Sequence, residues 1–295
     1  ELRADEVAVA QTGVIGVPLP MDIIRAAVPD LAAGLSDDGG PTAAEAICTT
    51  DTQIKQAAVR LNLDGVPVTI GAMAKGAGMI HPNMATLLCF VTTDAALGAE
   101  AAQHALTSAV ARTLNAVTID GDQSTSDTCL LLANGLAGNP LIEELDDPRL
   151  TVFTQALTAV LDPLARLIAR DGEGASKLLV VRVNGALSDP QAAQAARAVA
   201  ASNLFKCAVR GSDPNWGRIA CAVGYSGAEV DQSKLTITLN QVLLMFEGEP
   251  QSFDAAAVSR SMDAAEVTVQ IDLGLGRGSG VAFGCDLTEE YVKIN

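Results

Sequence analysis

The sequence leaves few classes of nucleophile open in this 295-residue chain. Thr86 opens the apolar run "TLLCFVTTDA" and follows a stretch of small, polar and charged residues, "AKGAGMIHPNMA" (74–85). A threonine hydroxyl attacks a carbonyl once a base is held beside it. The same residue also reads as an ordinary β-branched start to a strand. The only histidines are His81 and His104, which excludes a histidine-rich metal site and leaves imidazole acid–base chemistry few places to occur. Six cysteines form no CxxC pair, a pattern that fits buried free thiols in a reducing compartment better than disulfides or a metal. Neither a GxSxG elbow nor a GxxxxGK[ST] phosphate loop is present. What remains is a Thr or Ser activated by an amine, and Lys75 stands eleven residues before Thr86.

Four segments are too dense in glycine, small polar residues and charge to be plain connectors: "QTGVIG" (11–16), "AKGAGMIHPNMAT" (74–86), "DGDQSTSDT" (120–128) and "RGSDPNWGR" (210–218). Asp120, Asp122 and Asp127 lack the glycine and terminal glutamate of a calcium loop, so they read as turns bracing a site. The run "GLGRGSG" (274–280) lies between two strands instead of opening a helix, which rules out a dinucleotide-binding turn. Trp216 reads as a packing anchor, Asp213 and Arg218 as a local pair or cap, and His81 as a non-catalytic neighbour of the 82–86 stretch.

The elements that must position these residues alternate between strand-like and helix-like patterns. Strands are expected over 65–74 and 86–95, the second apolar enough to be buried on both faces. Helical spacing runs over 98–117 and 150–172, with Pro163 expected to kink or split the second. A strand over 177–186 precedes a helix over 188–203. The segments 234–246 and 265–276 alternate as half-buried strands, with Val267, Val269, Ile271 and Leu273 on one face. The chain is an α/β protein with two sheet-bearing parts. Its net charge of −16 argues against nucleic acid or an anionic membrane as partner, and no apolar run reaches the roughly 18 residues of a membrane span.

Seven segments stand in order along the chain: "TGVIGVPLPMD" (12–22), "CTTDT" (48–52), "MAKGAGMIHPNMATLL" (73–88), "DGDQSTSDT" (120–128), "DGEGASK" (171–177), "GSDPNWGR" (211–218) and "CDLTEEYVKIN" (285–295). Together they resemble the ornithine acetyltransferase family, the bifunctional glutamate N-acetyltransferases of arginine biosynthesis. The resemblance implies an αββα sandwich core of the N-terminal-nucleophile type, with a second, smaller α/β lobe. Residues 1–180 would form the catalytic core. Residues 181–295 would form the smaller lobe, whose C-terminal tail returns to the active site.

It also implies self-cleavage between Ala85 and Thr86 into fragments 1–85 and 86–295. The freed α-amine of Thr86, with an ordinary pKa of about 7.7 to 8.0, then serves as base for its own hydroxyl. Acetyl passes from N-acetylornithine to Thr86 and on to glutamate, a ping-pong transfer. By the same resemblance Thr12 and Gly13 form the oxyanion hole, and Thr49, Lys75, Thr86, Glu173 and Asn295 surround the substrate. Lys75 suits an α-carboxylate and Glu173 an ammonium. No metal or cofactor is implied, although acetyl-CoA is a second acetyl donor in some members. Two of each fragment would assemble into a cytoplasmic heterotetramer with no nucleic-acid or membrane partner. A longer segment before Thr12 than the eleven residues here, and a Thr or Ser beyond Asn295, would complete the family pattern.

Two other readings stand beside this one. A hydrolase on the same scaffold would release acetyl to water with no need for glutamate. An inactive relative is the third, and the presence of Thr86, Thr12 and Gly13 speaks against it.

Overall fold

The computed structural model describes residues 3–4, 7–81 and 87–295, and these form a mixed α/β fold with two sheets. Two helices come first, α1 (Met21–Ala33) and α2 (Gly40–Ala46); α1 buries no residue and α2 buries Ala44. The first sheet has the order β1 (Lys55–Leu63), β2 (Val66–Lys75), β3 (Leu88–Thr93), β4 (Thr128–Ala133). β1 and β2 join through Asp64 and Gly65, both at positive φ, and Asn62 Oδ1 accepts the Gly65 N–H at 2.6 Å. β3 and β4 run parallel, which requires a crossover, and α3 (Ala99–Arg112) lies in it.

Two expectations are corrected here. The helix expected to reach 117 stops at Arg112, because the Thr113 hydroxyl donates to the Ala109 carbonyl at 2.7 Å and its backbone leaves the helical region. α4 (Pro148–Arg170) runs unbroken through Pro163. Pro163 and Ala159, whose carbonyl loses its partner, both face solvent, so water can satisfy that oxygen. Nine buried residues between Leu150 and Ala169 hold the helix against a proline penalty of about 3 kcal/mol. α4 is long and apolar enough to span a bilayer by length and composition, yet its apolar face packs on β1 and β2.

The remaining elements are β5 (Leu178–Ala186), α5 (Asp189–Ala201), α6 (Asn203–Arg210), α7 (Trp216–Gly224), β6 (Thr236–Leu239), β7 (Val242–Phe246), β8 (Glu249–Pro250), α8 (Ala255–Ser261), β9 (Glu266–Asp272), β10 (Gly278–Cys285) and α9 (Glu289–Ile294). The second sheet has the order β10-β5-β9-β6-β7-β8. The alternating segment 234–246 is a hairpin, turned at Asn240 and Gln241, which both have positive φ. The Asn240 side chain secures that turn, donating to the Ser261 carbonyl and accepting from the Thr268 N–H. Val267, Val269, Ile271 and Leu273 are all buried, as their period predicts. The "GLGRGSG" run serves packing: a Cβ on Gly280 would lie 2.4 Å from the Ala193 nitrogen, so glycine lets α5 approach β10. One apolar core lies between the first sheet, α3 and α4 and takes in Phe283 of β10; the other lies between the second sheet and α5 to α8.

Candidate active site

Lys75 is the last residue of β2, opposite Leu88 of β3; it is out of phase with the core-facing Val68, Ile70, Ala72 and Ala74 and so lies on the other face of the sheet, where it is nevertheless buried. It is 3% exposed, and its Nζ donates to Thr49 Oγ1 at 3.2 Å. Burial lowers its pKa below an ordinary lysine's, while Asp51, Cys48 and Glu173 push in the opposite direction. After Lys75 the backbone passes over Glu173: the Glu173 N–H donates to the Ala77 carbonyl at 2.8 Å. A Cβ on Gly78 would sit 2.3 Å from Glu173 Oε2, so only glycine lets the carboxylate lie there. The Asn295 side chain donates to the same Oε2 at 2.8 Å. Thr49, Lys75, Glu173 and Asn295 thus gather at one place from four distant points of the chain.

A buried ion network holds them. Lys55, fully buried, places Nζ 2.6 Å from both Asp51 Oδ1 and Asp171 Oδ2. Asp51 also accepts the backbone N–H groups of Thr49 and Gly76, which ties the loop of Thr49 to the end of β2. Asp171 accepts the Thr52 N–H and hydroxyl and lies two residues before Glu173. Burial pushes the Asp51 carboxyl up, but the Lys55 and Gly76 hydrogen bonds and the Lys55 charge bring it net below the ordinary range. The sequence reading quoted Asp51 and Asp171 without a role and missed Lys55 altogether. One signal was available: Lys55 is in phase with Ala57, Val59, Leu61 and Leu63 on the inward face of β1.

The acidic turn 120–127 packs beside this cluster. Asp120 accepts the N–H groups of Met79 at 2.6 Å and Ile80 at 3.0 Å, and the Tyr291 hydroxyl at 3.3 Å. Met79 has a φ of 53°, a conformation this pair of bonds stabilises. Burial and the Asp120 charge push the Tyr291 phenol up to about 12, so it remains a donor. Asp127 Oδ1 accepts the Leu87 N–H at 3.0 Å, and its Oδ2 is buried without a hydrogen-bond partner among the described residues. Burial raises the Asp127 carboxyl to about 6, against the Leu87 hydrogen bond and the Lys75 charge. His81 Nδ1 lies 3.1 Å from Thr118 Oγ1, and burial followed by the Arg197 charge lowers its pKa, which keeps the ring neutral near pH 7.

Ala85 and Thr86 lie outside the described residues. Thr12 is half-buried and Gly13 exposed in irregular backbone, and neither hydrogen-bonds to the cluster among the described residues. Trp216 packs against the second core, while Arg218 donates to the Leu204 carbonyl and not to Asp213. All six cysteines are free; Cys89 and Cys285 are buried, Cys207 and Cys221 exposed. Two cavities elsewhere, of 380 and 610 Å³, are lined by other residues and include neither Lys75 nor Glu173.

The sequence model of the ArgJ family matches residues 1–295. The arginine biosynthesis bifunctional protein ArgJ of Symbiobacterium thermophilum is 55% identical over 294 residues, an alignment that takes in 100% of this chain and 73% of that protein. The protein of the same name from Thermosynechococcus vestitus is 47% identical over 304 residues, covering 98% and 72%. A crystal structure of arginine biosynthesis bifunctional protein argJ from Bacillus halodurans matches with a TM-score of 0.68 at 42% identity, over 70% of this chain and 97% of that one.

Proposed function

We propose, on the premise that this chain belongs to the ArgJ family, that it is a glutamate N-acetyltransferase moving acetyl from N-acetylornithine to glutamate. The observation that carries the reading is the meeting of the buried Lys75 ammonium with the Glu173 carboxylate, each held by a second polar side chain. One cation and one anion within electrostatic reach of each other suit an amino acid whose α-carboxylate and distal ammonium must both be recognised.

In this reading the Thr86 hydroxyl first attacks the Ala85 carbonyl. The C–N bond breaks, the nitrogen takes the hydroxyl proton, and water hydrolyses the resulting ester. The freed α-amine then removes the Thr86 hydroxyl proton as the oxygen attacks the acetyl carbonyl of N-acetylornithine. Ornithine leaves with that proton on its nitrogen, and acetyl-Thr86 passes its acetyl to the amine of glutamate. Thr12 and Gly13 supply the donors for the oxyanion in each half-reaction, and Thr49 holds Lys75 against the α-carboxylate. Acetyl-CoA as a second donor, a cytoplasmic location, a tetramer of two of each fragment, and division into a core of residues 1–180 and a lobe of 181–295 belong to the same proposal.

Denaturing intact-mass measurement joined to an acetyl-transfer assay tests it. Two fragments, the larger beginning at Thr86, and acetylglutamate formed only when glutamate is supplied are the expected results. A single uncut species, of 30.2 kDa for this chain, or acetate released at the same rate without glutamate, would overturn it.

A further inference from the structure

Three arginines line the 610 Å³ cavity: Arg112 at the end of α3, Arg182 in β5 and Arg197 in α5. Arg182 alternates with the buried Val181 and Val183, so it projects from the opposite face of β5, beside its register partner Val281 of β10. Arg197 follows Pro190 by seven residues and Ala193 by four, which puts all three on one stripe of α5 along the cavity wall. The close approach that Gly280 permits brings this stripe against β10, the edge strand of the second sheet.

These cations lack counter-charges. Among the described residues none of the three makes an ion pair or a side-chain hydrogen bond. One carboxylate stands on the lining, Asp189, and its Oδ1 already accepts the Ser279 N–H at 2.9 Å. Arg197 is half-buried, and burial lowers its pKa with no anion acting in the other direction. A guanidinium drawn out of water without a partner is unfavourable. General basicity does not account for the cluster either, because the chain carries a net charge of −16.

We propose that this cavity binds a small organic anion with two or more negative groups, phosphate or carboxylate, held by the guanidinium forks of Arg112, Arg182 and Arg197. A planar fork pairs with either group through two parallel hydrogen bonds. Several negative groups can spread over the three forks, and Asn184, two residues beyond Arg182 on the same face of β5, adds a neutral hydrogen-bonding group. The volume lies within the range of about 300–1,000 Å³ that small-molecule sites occupy. The net charge of −16 weighs against a nucleic-acid backbone as the occupant. Neither Lys75 nor Glu173 lines the cavity, and the inference stands without the acetyltransferase reading.

Isothermal titration calorimetry on the full-length protein in about 0.15 M KCl, with inorganic pyrophosphate and citrate as probes of the two chemistries, tests it. At least one probe should bind with a Kd below about 1 mM. Arg182→Met and Arg197→Met should each weaken that binding about tenfold or more, the loss of a charged hydrogen bond. Arg182 is exposed, so its replacement leaves the fold undisturbed. Arg60→Met removes an exposed charge from β1, away from the cavity, and should change the Kd less than about twofold. Tighter binding of pyrophosphate assigns the site to phosphate groups, and tighter binding of citrate to carboxylates. No binding of either probe at 10-fold the expected Kd overturns the proposal. So does an equal loss in all three variants, or no loss in Arg182→Met and Arg197→Met.

His81 gives a second readout. The Arg197 charge lowers its pKa, while Asp120 and Asp122 push it up. An anion seated on Arg197 offsets that charge, so saturating probe should raise the His81 pKa in a proton NMR titration. An unmoved His81 at saturation would place the anion elsewhere and overturn the assignment.

Discussion

Replacing Lys55 by Met removes one ammonium and leaves Asp51 and Asp171 facing each other in the interior. The distances are 2.6 Å to each oxygen, and the side chains of Lys55, Asp51 and Asp171 are 0%, 0% and 3% exposed, so water cannot screen the loss. Breaking a buried pair of this kind typically costs about 3–5 kcal/mol. At about 2–4 °C per kcal/mol for large domains, the melting temperature should fall by roughly 6–20 °C. The backbone donors from Thr49, Gly76 and Thr52 remain and place the outcome toward the lower end.

The pH dependence distinguishes lost charge from lost packing. In the parent, Asp51 titrates below its ordinary value, so its stabilising contribution is full above the unfolded pKa of about 3.9 and lost as pH falls through the folded value. In the Lys55→Met variant the Gly76 and Thr49 backbone bonds still lower the Asp51 carboxyl, but the Lys55 hydrogen bond and charge are gone, so burial beside an unneutralised Asp171 moves it upward. A raised carboxyl contributes stability at low pH and loses it as pH rises. The gap between the two proteins should therefore be widest at pH 7–8 and narrow below pH 5. Thermal unfolding followed by circular dichroism across pH 4.5 to 8 checks this. A gap under about 1 kcal/mol, or one constant with pH, would refute Lys55 as the counter-charge of the network.

Three further outcomes are expected. Glu173→Gln keeps the volume and the Asn295 contact but removes the anion, so KM for N-acetylornithine should rise about 10- to 100-fold, the equivalent of a charged hydrogen bond; initial rates with donor varied measure it. Gly78→Ala drives Glu173 from its place, and the double variant with Glu173→Gln should be little worse than either single one, which a double-mutant cycle reads directly. Burial lowers the Lys75 pKa, so its charge is present at neutral pH and lost earlier than an ordinary lysine's as pH rises. KM for glutamate should climb on the alkaline side, and Lys75→Met should abolish the climb.

Much of the fold could be read because its signals are local. Val267, Val269, Ile271 and Leu273 share a face since strand geometry repeats every second residue, and the four segments dense in glycine, small polar residues and charge stand out by composition alone. Where local preference competes with packing, it misleads. Pro163 was expected to kink or split α4; the helix is not split, because the buried apolar face on both sides of the proline outweighs the missing hydrogen bond. The hairpin at Asn240 and Gln241 was hidden because Gln is an uncommon residue at positive φ.

The site divides in the same way. Thr49, Lys75, Glu173 and Asn295 were nameable from their segments, each as a single residue with a chemistry. Which of them meet, and what holds them, was decided by tertiary structure. Lys55 looks like a surface lysine until β1 turns it inward between two aspartates, one of them 116 residues away. Asp127 looks like a turn residue until folding closes around one of its oxygens and leaves it without a partner. Sequence sets the type and order of charged groups. Their energies depend on distance and on the exclusion of water, and both are properties only the folded chain possesses.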